Sequence, residues 1–148
     1  MLVFTYHHSR DEGWTALAHG VLGAGFVVVN SQPVKAEMSV ATPKSQAKDP
    51  IQLDIIIVCR KECMAESHRP TVAKAMESAR TKLRRLHAAG FELSRNDRKI
   101  VIFGQLLTTL SSPEDAAHFA LHADTELAAI QPPTPAIRPH DQLRLFEL

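Results

Sequence analysis

Apolar positions along this chain change their period several times, and each change marks an element. Met1-Leu-Val-Phe-Thr-Tyr6 is rich in β-branched and aromatic residues and reads as a strand. Ser9 followed three residues later by Glu12 has the capping-box spacing, so a helix is expected from there. That helix would carry Trp14, Leu17, Ala18, Val21 and Leu22 on one face, at steps of three and four. Gly25 supplies the left-handed residue that ends it. A second strand runs from Phe26 to about Asn30 and on past Pro33 toward Glu37. Pro33 lacks an N–H for the ladder, so an edge or bulged strand is expected.

Met38 to Pro50 is polar and aperiodic, a loop. Ile51 to Arg60 is the strongest strand pattern in the chain, and its apolar run Ile55–Cys59 does not alternate. Such a run predicts burial on both faces and a central position in a sheet. The first part of the chain is therefore β-α-β-β, with a long hairpin joining the last two strands.

From Pro70 the period becomes helical. Val72, Met76, Ala79, Leu83 and Leu86 step four, three, four, three, and Gly90 closes the helix. Ser94 with Asp97 opens another helix by capping logic. Its residues Ile100, Val101, Phe103, Leu106, Leu107 and Leu110 are apolar nearly all round, which predicts burial. Ser112-Pro-Glu-Asp115 begins a third helix, to about Ile130. Gln131–Pro139 is an extended, proline-rich tail. The expected division is a sheet portion over 1–62, a helical segment over 68–130 and a tail over 131–148.

Composition adds bounds. The chain has 148 residues, 45% hydrophobic and 22% charged, the balance of a globular protein. Seventeen Lys and Arg against sixteen Asp and Glu give a net charge of +1, so no global field draws it to nucleic acid or membrane. No apolar run approaches the roughly 18 residues of a membrane span. The N-terminus has no basic lead-in typical of a secretory signal. Two cysteines make no disulfide framework, and the expected setting is cytoplasmic. A strand at residue one, without a preceding loop, reads as a chain that starts partway through a larger fold.

Val3-Phe-Thr-Tyr-His-His-Ser9, the helix around Trp14, Ala24-Gly25-Phe26, Pro33-Val34-Lys35-Ala36-Glu37 and Asp54-Ile-Ile-Ile-Val-Cys-Arg-Lys61 together resemble the carboxyl-terminal part of adenine-specific DNA methylases. The similarity is to those of the amino-methyltransferase class that carry a zinc ribbon elsewhere. It spans residues 1–61 and, less specifically, 68–111, where Leu93-Ser94 and Phe103-Gly104 carry it. The resemblance implies the last three strands of a class I methyltransferase (Rossmann-like) sheet, with the final strand inserted antiparallel between the other two. It implies methyl transfer from S-adenosylmethionine to the N6 of a flipped adenine in DNA.

Two departures bound that implication. The family's Asp/Asn-Pro-Pro-Tyr/Trp motif has no counterpart here, since the only Pro-Pro pair is Pro132-Pro133, between Gln131 and Thr134. The glycine-rich cofactor turn is also missing, because Gly20-Val-Leu-Gly-Ala-Gly25 lies at a helix end, not between a strand and a helix start. The chain is thus expected to be a fragment or a split subunit, inactive alone, with S-adenosylmethionine bound only by the complete enzyme. A split subunit implies a partner chain that carries the missing half. The alternative is a non-catalytic nucleic-acid- or protein-binding module, or a decayed remnant, that keeps the half-sheet.

Candidate contacts follow. His7 and His8 end the first strand, at the rim where open α/β sheets bind ligands; the plainer reading is a strand-end pair with one ring buried. Ser9 and Lys35 join them as candidate DNA contacts. In the hairpin loop Ser39–Lys48, Ser39, Lys44, the Ser45-Gln46 pair and Lys48 offer hydroxyls, an amide and two lysines suited to phosphate or base edges, against the reading of a solvated connector. Cys59 and Cys63 with His68 fall short of the four ligands of a structural zinc, and Cys59 is expected to be buried and inert. Lys74, Arg80, Lys82, Arg84, Arg85 and His87 cluster on one helix, either a phosphate-binding face or a solvated surface. His118 and His122 lie four apart without the adjacent glutamate of a metalloprotease, and read as surface or packing residues. Finally, the strand Met1–Tyr6 carries no Lys, Pro or charge, so its edge is expected to support a homodimer.

Overall fold

In a computed structural model the described residues are 1–36, 51–64, 69–116, 119, 123, 125 and 128. β1 (Leu2–Tyr6), α1 (Asp11–Gly23), β2 (Phe26–Lys35) and β3 (Leu53–Lys61) come first, then α2 (Val72–Ala88) and α3 (Arg95–Leu106). The chain is α/β, with a three-stranded sheet in the order β1-β3-β2 and antiparallel pairing throughout. Because both outer strands run against β3, they run parallel to each other, with α1 as the crossover.

Among the described residues β2 is an edge strand, and it is bulged, which suits Pro33. The register slips between Val28 and Asn30, and Pro33 lies opposite Ile55. Glycine closes two helices in the left-handed conformation, Gly25 after α1 at φ 71° and Gly90 after α2 at φ 85°. α2 begins at Val72, two residues beyond Pro70, and Thr71 caps it, its hydroxyl accepting the Lys74 N–H at 3.3 Å. Ser94 and Asp97 form the expected capping box on α3.

Two expectations need correcting. The Ser9/Glu12 pair makes no capping box: α1 starts one residue later, behind Arg10, with no side-chain cap. His8 intervenes, its Nδ1 accepting the Arg10 N–H at 3.1 Å and turning the chain before the helix. β3 is central but not buried on both faces. Leu53, Ile55, Ile57 and Cys59 are buried while Asp54, Ile56 and Val58 stay half-exposed, because α1 and α3 both reach the sheet on the Tyr6–Ile55 face.

One continuous core joins sheet and helices. It holds Trp14, Ile55, Ile57, Met76, Ile100 and Phe103, each 1% exposed or less. α3 is buried from Ile100 through Leu106, and its approach to the sheet leaves no room at Gly104, where a Cβ would lie 2.1 Å from Ile55 Cδ1. The polar residue on that buried helix is matched: Gln105 Nε2 donates to the Ser31 carbonyl at 2.9 Å and to its hydroxyl. Of the third expected helix, a 3-10 turn over Pro113–Asp115 is described, with a Ser112/Asp115 capping box, followed by buried Ala116, Phe119 and Ala123. The tail over 131–148 lies outside the described residues.

Candidate functional site at the carboxyl rim of the parallel strands

β1 and β2 end at the same side of the sheet, where β3 begins. The chemistry-bearing residues of the sheet gather there. The register that puts Tyr6 opposite Ile55 brings His7 to Asp54, and His7 Nδ1 pairs with Asp54 Oδ1. The carboxylate thereby fixes one ring nitrogen and leaves Nε2 outside that pair, on a side chain 47% exposed.

His8 turns the other way. Its ring stacks at 6.4 Å on Tyr6 and accepts from Arg10, while its carbonyl accepts the Trp14 indole N–H at 2.8 Å. Tyr6 donates to the Gly13 carbonyl at 2.8 Å, and burial pushes its phenol above the ordinary value. His8 is thus a structural residue of the turn, and His7 is the histidine that faces solvent. Ser9 contributes its carbonyl, which accepts from Lys99 Nζ at 3.1 Å; Lys99 also pairs with Asp11. Lys35 is exposed at the last position of β2, opposite Leu53.

Beneath these lies Asp97, fully buried, whose longer reach the capping pattern did not indicate. One carboxylate oxygen accepts the backbone N–H groups of Gln52 and Leu53 at 2.8 and 3.1 Å, and the other accepts Ser94 N–H at 3.1 Å. The Gln52 carbonyl in turn accepts Ala36 N–H at 2.9 Å. One side chain therefore ties the start of α3 to the start of β3 and, through Gln52, to the end of β2. Asp54, Asp97 and Lys99 were not among the sequence candidates. Their partners are 44 to 90 residues away along the chain, and no local pattern encodes such pairings.

Together the rim offers an outward imidazole on a carboxylate and an exposed lysine, which can hydrogen-bond phosphate oxygens or base edges, while the Lys99 ammonium is held inside by Asp11 and the Ser9 carbonyl. Among the described residues no three His, Cys, Asp or Glu side chains cluster as a metal site would need. Cys59 is buried, which raises its thiol above the ordinary value and leaves it unreactive at neutral pH, and Cys63 is exposed. Ser39, Lys44, Ser45, Gln46, Lys48, His68, His118 and His122 lie outside the described residues. No described helix is long and apolar enough to cross a membrane.

Comparisons with protein families, with curated proteins and with solved structures found no match for this chain.

Proposed function

We propose that this chain is part of a DNA adenine-N6 methyltransferase, supplying three strands of its sheet and a wall of its substrate rim. A partner chain would bring the glycine turn that binds S-adenosylmethionine and the proline-proline motif. The observation that carries the reading is the strand order β1-β3-β2, with antiparallel β3 between two parallel strands joined by α1. That is the arrangement the resembling stretches imply, and those stretches lie on β1, α1, β2 and β3 in turn. In this reading His7 and Lys35 face DNA, and Asp54 holds the His7 ring.

The test is to purify the tagged chain from its own host, identify what accompanies it by mass spectrometry, and assay methyl transfer to DNA adenines. A co-purifying chain carrying both missing motifs, active with this one and not without it, is the expected result. A chain that purifies without such a partner, or a complex inactive toward every DNA offered, overturns the reading. By itself the chain is expected to bind no S-adenosylmethionine, for want of the glycine turn and acidic ribose contact. Isothermal titration revealing a stoichiometric micromolar site would contradict this.

The strand order also leaves the outer edge of β1 without a ladder partner among the described residues. Val3 is 50% exposed and Leu2 41%. Such an edge is a template for another strand. In the complex it would take a strand of the partner, and in the partner's absence a second copy of this chain. Val3→Lys is expected to move the isolated chain toward monomer in sedimentation while the circular dichroism stays unchanged. A wild-type chain that sediments as a monomer at high micromolar concentration would show the edge to be inert.

A further inference from the structure

α2 concentrates charge that the rest of the molecule does not have. Lys74, Arg80, Lys82, Arg84 and Arg85 face a single acid, Glu77, an excess of four on one helix of a chain whose net charge is +1. The helix's own field accounts for part of this, since cations in the last turn oppose the negative end of the dipole. It does not account for Lys74, which stands in the first turn, where the dipole disfavours a cation and where no acid offsets it.

The positions are ordered as well. Lys74, Ser78, Lys82 and Arg85 recur at steps of four, four and three and, with Glu77 and Thr81, line one groove of about 380 Å³. Ala75, Met76, Ala79 and Leu83 take the core face, so the groove opens to solvent. Its floor is fixed to the sheet, because Lys82 Nζ donates to Gln32 Oε1 of β2 at 2.9 Å. Burial and the Arg85 charge both push the Lys82 ammonium below its ordinary value. Among the described residues no carboxylate pairs with Lys74, Lys82 or Arg85. Like charges are thus held together beside hydroxyls, with three cations to the one carboxylate of Glu77 among the described lining residues.

We propose that the Lys74–Lys82–Arg85 groove of α2 binds the phosphodiester backbone of duplex DNA. The geometry suits a linear polyanion better than a single phosphate. At about 1.5 Å per residue the stripe from Lys74 to Arg85 is about 16 Å long, matching several successive phosphates of one strand. Ser78 and Thr81 supply the neutral donors that accompany cations at such contacts. The groove carries no aromatic side chain, and the proposal assigns its cations to phosphates, so it positions DNA without selecting sequence. The choice of DNA rests on the methyltransferase reading, but the binding itself requires no methyl transfer.

The experiment measures anisotropy of a fluorescein-labelled duplex DNA of about two helical turns against the whole chain over a salt series. The triple variant Lys74→Gln, Lys82→Gln, Arg85→Gln is compared with a charge-matched triple, Arg10→Gln, Arg60→Gln, Lys61→Gln. Loss of three phosphate contacts should make the plot of log affinity against log salt shallower by about 2.7 and lower affinity at least about tenfold, whatever the duplex sequence. The matched triple should leave the slope within about one contact of wild type. Equal losses in both triples, an unchanged slope in the α2 triple, or no binding by the wild-type chain would each overturn the proposal. So would saturation of the groove by inorganic phosphate at concentrations that displace DNA stoichiometrically, since that is single-anion binding. A failed methylation assay with the α2 slope change intact would count against the enzymatic reading alone.

Discussion

Asp97→Ala is expected to destabilise the fold by about 3–5 kcal/mol, the sum of a lost helix cap and charge-assisted hydrogen bonds to backbone groups. The carboxylate accepts from Gln52, Leu53 and Ser94, and Leu53 is fully buried, so water does not replace the lost acceptor there. For a domain of this size the loss lowers the melting temperature by about 8–15 °C. Asp97→Asn separates the two roles. Its carbonyl oxygen can still accept from Gln52 and Leu53, but its amide then meets the Ser94 N–H donor to donor, so a smaller loss of about 1–2 kcal/mol is expected. Thermal and urea unfolding of the three proteins measures the order. Amide hydrogen exchange adds a local readout, since Gln52 and Leu53 should exchange faster in the alanine variant even under native conditions. A variant within about 0.5 kcal/mol of wild type would mean that the tie between α3 and β3 is dispensable.

The same residue shows where sequence reasoning reaches its limit. The Ser94–Asp97 spacing is a local signal, and it yielded the cap on α3 correctly. The other oxygen's work, on backbone groups 44 and 45 residues earlier, has no local signal at all. The His7–Asp54 pair and the Gln105–Ser31 pair are equally non-local, at separations of 47 and 74. Each depends on strand register or helix docking, which follow from tertiary packing. Elements whose cause is short-range were legible: the turn-forming Gly25 and Gly90, the edge position of the Pro33 strand, the burial of α3 from Ile100 to Leu106, and the apolar stripe of α2 at Met76, Ala79 and Leu83. Val72, expected to begin that stripe, is exposed.

The two misreadings have physical reasons of the same kind. An unbroken Ile55–Cys59 run is compatible with either a doubly covered strand or one whose second face holds half-exposed Ile56 and Val58, and only the placement of the helices distinguishes them. The Ser9–Glu12 pattern had the right spacing for a capping box. His8 Nδ1 competes for the backbone at that corner, and the anchoring of His8 by Trp14 sets where the helix begins. For the candidate site, the rim position of His7 and His8 was legible from the end of the first strand. Their division of labour, with His7 outward on Asp54 and His8 folded into the turn, required the register and the indole contact.

Trp14→Ala should therefore act at two levels. Trp14 is fully buried, meets Tyr6 edge-on at 5.0 Å between ring centroids, and lies 5.3 Å from Phe103. Emptying such a site costs about 3–5 kcal/mol. The indole also donates to the His8 carbonyl, so the turn that carries the strand into α1 loses its anchor. Trp14→Phe refills much of the volume but supplies no donor, and about 1–2 kcal/mol is expected from the lost hydrogen bond and the residual cavity. Trp14 is the only tryptophan in the chain, so unfolding has to be followed by circular dichroism instead of intrinsic indole fluorescence. The phenylalanine variant tests the rim most sharply. If the anchor at His8 matters, the imidazole resonances of His7 and His8 should shift or broaden although the core remains folded. Unchanged histidine spectra, with a stability loss no larger in the alanine than in the phenylalanine variant, would place Trp14 outside both the core and the rim.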